Sequence, residues 1–263
     1  MSQLALSALT SEIANLRALR RVGRVMRIEG GLVHISGLSD AARLGDRLRI
    51  SRAGQRPLKG EVLQLAPAYV PMLPEAAPVG VALGPPVQLP EPIEIAPDVS
   101  WLGRVIDPYG QPSDGKPLMR GPVICPPTAA PPPPAQRRML GARIETGMTV
   151  FNTLLPIVRG QRLGPFAGAG VGKSNLLGHL ARRMEADLVV LALIGERGRE
   201  LRDFIENTLG PEGMKRSVIV AATSDQSPLT RRRCAWTAMS IAEHFRDAGQ
   251  HVLFLADSVT RFA

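Results

Sequence analysis

Eight residues, Ala167-Gly168-Ala169-Gly170-Val171-Gly172-Lys173-Ser174, have the types and spacing to hold a chain of phosphates. Alternating glycines let the backbone curl so that successive N–H groups point inward at an anion. Lys173 then reaches the outer phosphates, and the Ser174 hydroxyl is placed to ligate Mg²⁺. Ala167 stands where the strictest form of the motif has its first Gly. Gly168, Ala169, Gly170, Val171, Gly172, Lys173 and Ser174 are the candidate contacts for a nucleoside triphosphate. The plain alternative, a glycine-rich turn with no ligand, does not call for Lys-Ser at this spacing.

Two acids and two cations can complete such a site. Asp257 follows the apolar run 251–256, where a carboxylate holds Mg²⁺ opposite the loop hydroxyl. Glu196 follows the apolar run 187–194 and is the candidate base that polarises an attacking water. Arg197 beside it is a candidate γ-phosphate or positioning contact, whereas Arg199 and Glu200 read equally well as a structural pair at a helix start. Arg261 follows Asp257 by one helical turn. It either reaches the phosphates or does not, and the residues alone leave both open.

These groups need elements to position them. Residues 162–166 read as a short strand entering the loop, and 175–184 as a helix whose positive end faces the phosphates. Strands are expected at 187–194, 217–222 and 251–256. Helices are expected at 200–208, ended by Leu209-Gly210-Pro211, and at 230–247. Alternation of fully apolar strands with helices predicts a parallel sheet covered on both faces. The nucleotide-binding domain is placed at 138–263.

Upstream, 21–95 breaks into short apolar pieces with glycine turns, which predicts a small β-barrel. Residues 96–137 form a connector with a strand at 101–107 and a proline-rich linker. Residues 1–20 carry Leu6, Leu9, Ile13, Leu16 and Leu19 at helical spacing. That amphipathic helix either packs on its own domain or docks another chain.

A chain of 263 residues, 44% hydrophobic and only 4% aromatic, builds one large domain or two modest ones with aliphatic cores. A net charge of +9 permits nucleic acid, acidic lipid or an acidic protein as partner and selects none. Stacking single-stranded bases takes aromatic platforms worth about 1–3 kcal/mol each. Tyr69 is the only aromatic between residues 21 and 95, so nucleic acid is not expected as a partner. Cys125 and Cys234 lie far apart, outside any metal spacing, and read as reduced packing residues. No apolar run approaches a transmembrane length and no signal peptide is evident, so an intracellular protein is expected.

Taken together, the phosphate loop, Ala192-Leu-Ile-Gly-Glu-Arg-Gly-Arg-Glu200, Thr223-Ser-Asp-Gln-Ser-Pro-Leu229 and Ala256-Asp-Ser-Val-Thr-Arg-Phe-Ala263 resemble the ATPases of bacterial type III export. That group is kin to the rotary ATP synthase catalytic subunits. Ala235-Trp-Thr-Ala-Met-Ser-Ile-Ala-Glu-His-Phe-Arg-Asp247 resembles the flagellum-specific form more than the injectisome form. The resemblance implies a RecA-like P-loop domain of α/β class behind the barrel. It implies a homohexameric ring that hydrolyses ATP with Mg²⁺ and assists export of flagellar proteins.

It further implies a stator-like regulator on the N-terminal helix, an export gate at the membrane, and a cytoplasmic protein peripheral at the inner face of the cell membrane. Lys173, Ser174, Glu196, Arg197, Asp257 and Arg261 carry over by motif. Asn175 stands where relatives usually have Thr. Against the family pattern, Ala263 comes before further strands, a helical domain, an adenine pocket and an arginine supplied across an interface. The expectation is a C-terminally truncated version whose sheet is incomplete and whose turnover is slow. Three other readings share parts of the pattern: a rotary synthase subunit, a hexameric nucleic-acid translocase, and a non-catalytic subunit of a mixed ring.

Overall fold

The computed structural model describes residues 21–90, 94–166, 168 and 170–262. The helix expected within 1–20 and Ala169 of the loop lie outside the described residues. The chain divides into two units, Met1–Ile93 with Gln226–Thr230, and Glu94–Asp225 with Arg231–Ala263.

The first unit is a closed barrel of six strands, β1 (Arg21–Glu29), β2 (Leu32–Ser36), β3 (Arg47–Ile50), β4 (Leu58–Val62), β5 (Val70–Pro74) and β6 (Pro86–Leu89). They run in the order β1-β2-β5-β4-β3-β6, and every pairing is antiparallel. A strand turns alternate side chains to opposite faces. In β3, Leu48 and Ile50 are buried while Arg49 between them is exposed. Ile50 meets Leu58 on one side and Val87 on the other, and Val25, Ile35 and Met72 fill the same interior. Closure leaves no strand edge unpaired, which a small aliphatic barrel needs to stay soluble. The Tyr69 ring packs edge-on against His34 at 5.0 Å.

The second unit carries a parallel sheet of four strands, β7 (Arg104–Ile106), β8 (Leu188–Glu196), β9 (Ser217–Thr223) and β10 (Val252–Asp257), in the order β10-β8-β9-β7. Around it run α1 (Thr149–Thr153), α2 (Lys173–Arg183), α3 (Gly198–Asp203), α4 (Gly210–Lys215) and α5 (Pro228–Asp247). The first eight residues of β8 are all buried, as befits a strand covered on both faces. Leu177 and Ala181 of α2 pack with Val189, Leu191 and Leu193 on one face. Residues of the alternate set, such as Val190 and Val220, are equally buried. There α5 brings the Cys234 thiol to 3.2 Å from the Val220 carbonyl, and Thr237 hydrogen-bonds the Pro108 carbonyl at 2.6 Å. Among the described residues no helix is long and apolar enough to cross a membrane.

Barrel and P-loop-type sheet are both as the sequence predicts, with one local correction. Residues 162–166 form no strand. Pro165 has no N–H to give to a ladder, and Phe166 is 98% exposed. The helix after Glu200 does end at Leu209-Gly210-Pro211, where Gly210 leaves helical backbone. From α3 the chain winds into one π-helical segment, Phe204–Leu209, and Gly210 (φ 63°) returns its N–H to the Ile205 carbonyl. Pro211 then opens α4, where the N–H it lacks is not needed. A second, short helix thus follows the stop directly.

Candidate functional site

Parallel strands point their C-terminal ends the same way, and ligand sites on such sheets gather there. Asp257 is the last residue of β10 and pairs in register with Leu193 of the neighbouring β8, three residues before Glu196. Between Ile194 and Glu196 the β8–β9 register shifts, with Gly195 as the extra residue. Such a bulge re-aims the side chain that follows it. Gly195 sits at φ 71°, and a Cβ there would lie 2.9 Å from Arg261 Cδ and 3.3 Å from Arg231 Cδ. Only glycine fits that backbone with two arginines against it.

Two ion pairs result. Lys173, the first residue of α2, places Nζ 2.6 Å from Asp257 Oδ1. Arg261 places Nη1 2.9 Å from Glu196 Oε1 and donates to the Gly195 carbonyl as well. Burial first, and a hydrogen bond to Glu200 second, raise the Glu196 carboxyl above its ordinary value, while Arg261 opposes them. Glu200 moves the other way, lowered chiefly by that same hydrogen bond.

The loop fits an anion. Gly170 (φ 78°) and Gly172 (φ 90°) hold left-handed backbone, and a Cβ on either of them or on Gly168 would meet nothing within 4 Å. An open cradle of backbone thus leads into the N-terminus of an eleven-residue helix. Val171 and Ser174 are exposed on it. Ser174 and Asp257 are hard oxygen donors, few in number, which suits Mg²⁺, an ion that otherwise keeps water and substrate phosphate as ligands.

Of the residues singled out in the sequence, Lys173, Asp257, Glu196 and Arg261 are brought together as two ion pairs. Arg197 is not on Glu196. Its side chain is 79% exposed and pairs with Glu200 at 3.3 Å. Sequence reading missed two participants. Glu200, left open beside Arg199 as a possible structural pair, bonds the candidate base. Arg231 lies in the run 231–233, which has the look of a solvated basic face, yet its side chain packs on Gly195. Arg233 in the same run is buried, its guanidinium 5.4 Å from the Tyr109 ring.

Residues 147–263 match the nucleotide-binding domain of the ATP synthase alpha/beta family. The chain is 43% identical over 258 residues to the flagellum-specific ATP synthase of Caulobacter vibrioides, covering 97% of this chain and 58% of that protein. It is 42% identical to the flagellum-specific ATP synthase of Bacillus subtilis, covering 93% and 56%. Over residues 147–263 the chain is thus similar to the nucleotide-binding domain of that family.

The type 3 secretion system ATPase of Xanthomonas euvesicatoria is also similar, at 38% identity over 98% of this chain and 58% of that protein. Among solved structures, the assembled ATPase EscN in complex with its central stalk EscO, from the enteropathogenic E. coli type III secretion system, superposes with a TM-score of 0.82 at 36% identity. It covers 92% of this chain and 58% of that one. The chain thus spans a little under three fifths of the length of these relatives. The nucleotide-binding domain matched, residues 147–263, lies mostly in the second unit.

Proposed function

We propose that this chain binds ATP with Mg²⁺ and hydrolyses it, as part of an ATPase that assists export of flagellar proteins through a type III apparatus. The observation that carries the chemistry is the meeting of Lys173 with Asp257 and of Arg261 with Glu196 at neighbouring strand ends. Backbone N–H groups of 168–172 and the Lys173 ammonium hold the phosphates. Ser174 and Asp257 would hold Mg²⁺, which would supply charge neutralisation on the phosphate oxygens.

Glu196 takes a proton from the attacking water. Its raised carboxyl is a better base than an ordinary one, because the ideal catalytic group titrates closer to working pH. Arg261 and Glu200 fix its orientation, and Arg197, exposed beside it, is the contact for γ-phosphate or for a neighbouring subunit. The names and coverage of the relatives support the export reading, and the assembled EscN supports a homohexameric ring around a stalk. In that reading the protein is cytoplasmic and works at the inner face of the membrane. A stator-like regulator on residues 3–20, the export gate and the exported flagellar proteins are its partners.

Glu196→Gln tests the catalytic assignment. ATP binding should persist while turnover falls by about 10²-fold or more, within the range that general-base removal costs. Unchanged turnover would refute it and favour a non-catalytic subunit. The similarity to the Xanthomonas protein and to EscN favours one second reading, an injectisome ATPase. Complementation of a flagellar and of an injectisome deletion strain by the gene in its native length separates the two.

A further inference from the structure

The Lys173–Asp257 pair joins two groups whose proposed ligands differ. Lys173 serves phosphate and Asp257 serves the metal, yet the structure shows them bound to each other at 2.6 Å. The Asp257 side chain is only 6% exposed, against 31% for Lys173. Arg261 is engaged by Glu196 and the Gly195 carbonyl. Among the described residues, Lys173 is therefore the charge that compensates this carboxylate. A ligand that draws Lys173 away and offers Asp257 nothing leaves a buried charge unpaired, a costly state. Free triphosphate is such a ligand, and its own negative charge adds repulsion. A metal–triphosphate complex exchanges both partners at once: phosphate oxygens take the ammonium, and the cation takes the carboxylate.

We propose that the Lys173–Asp257 ion pair makes this site select metal-bound nucleotide over free nucleotide, with Asp257 the specificity-determining residue. The inference rests on the reading of the loop as a nucleotide site. It goes beyond metal ligation, because it assigns Asp257 a penalty against nucleotide that arrives without metal. A plain metal ligand would weaken the loaded complex when removed and leave free nucleotide untouched.

Calorimetric titration of the full chain with ATP in EDTA, and separately with Mg–ATP, tests it. Asp257→Asn should tighten metal-free ATP roughly 10- to 100-fold while weakening Mg–ATP. Ser174→Ala removes a metal hydroxyl and leaves the ion pair, so it should weaken Mg–ATP alone. Glu196→Gln removes a negative charge from the same site without freeing Lys173, and should change metal-free affinity less than 3-fold. Unchanged metal-free affinity in Asp257→Asn overturns the proposal, and so does an equal gain in Glu196→Gln, which would assign the effect to net charge. Should Asp257→Asn not fold, the unsubstituted chain still decides, since equal affinities for the two forms of ATP rule selection out. Failure of the unsubstituted chain to bind either form would instead sink the nucleotide-site reading itself.

Discussion

Strand β3 of the barrel and strand β8 of the sheet are both rich in aliphatic residues, yet only β8 ends in the candidate site. In β3 every second residue faces solvent, and the antiparallel neighbours close a ring with no privileged end. In β8 eight consecutive residues are buried, and its parallel neighbours end on the same side. A closed antiparallel ring distributes its polar groups around its outside. A parallel sheet collects them at one rim, so Glu196 and Asp257, 61 positions apart in the chain, come to share a site. The difference lies in strand direction, with composition secondary.

The strongest way to break this comparison is to hollow each core in turn. Ile35→Ala in the barrel and Leu191→Ala in the sheet each empty a fully buried position. Each should cost about 2–5 kcal/mol in denaturant titrations. Only Leu191→Ala should also weaken ATP binding, measured where both variants remain folded. Equal weakening would mean that the barrel shapes the site too.

Next in size is Gly195→Ala, which forces a Cβ onto left-handed backbone and against Arg261. About 1–3 kcal/mol of stability should be lost. Turnover should fall further than that loss explains, because Arg261 must leave Glu196. A third test concerns the support of β7. Arg104 grips Asp114 through two contacts of 2.5 and 2.7 Å and holds its carboxyl down at about 2, against an ordinary value of 3.8. A lowered carboxylate contributes stability above its unfolded value and loses it as pH falls through the folded one. Asp114→Asn should therefore cost about 1–2 kcal/mol at neutral pH, and the gap to the unsubstituted chain should close between about pH 4 and 2 in acid unfolding.

The smallest effect belongs to Glu200→Gln. It removes a contact that raises Glu196, so the acid limb of turnover should move to lower pH with little change at the plateau. A plateau that collapses instead would make Glu200 part of the reacting centre.

What was legible in the sequence was what is local. The loop 167–174 announces itself because phosphate binding needs alternating glycines, a lysine and a hydroxyl within one turn. Glu196 and Asp257 were found because each directly follows an apolar strand. Partnerships were not legible. Arg261 could be placed near the phosphates, but its grip on Glu196 depends on the extra residue at Gly195, which no spacing rule reveals. Arg231 was hidden in a basic run because exposure is a property of the packed helix. The same holds for 162–166, where a strand-like stretch lacks a ladder, and for α4, the short helix that Pro211 opens directly after the stop at Gly210. The pairing of β7 with β9 joins segments more than a hundred residues apart, beyond any local pattern.

Cys234 has a practical consequence. Both cysteines lie in the sheet unit and the barrel holds none. Cys234 is wholly buried between α5 and the strands beneath it, and that burial pushes its thiol up to about 12. At neutral pH an alkylating reagent reaches Cys125 first, and Cys234 only when α5 lifts away from β8 and β9. The delay between the first and second label is a clock, built into the unsubstituted chain, that counts openings of the nucleotide-binding unit and stays silent to those of the barrel.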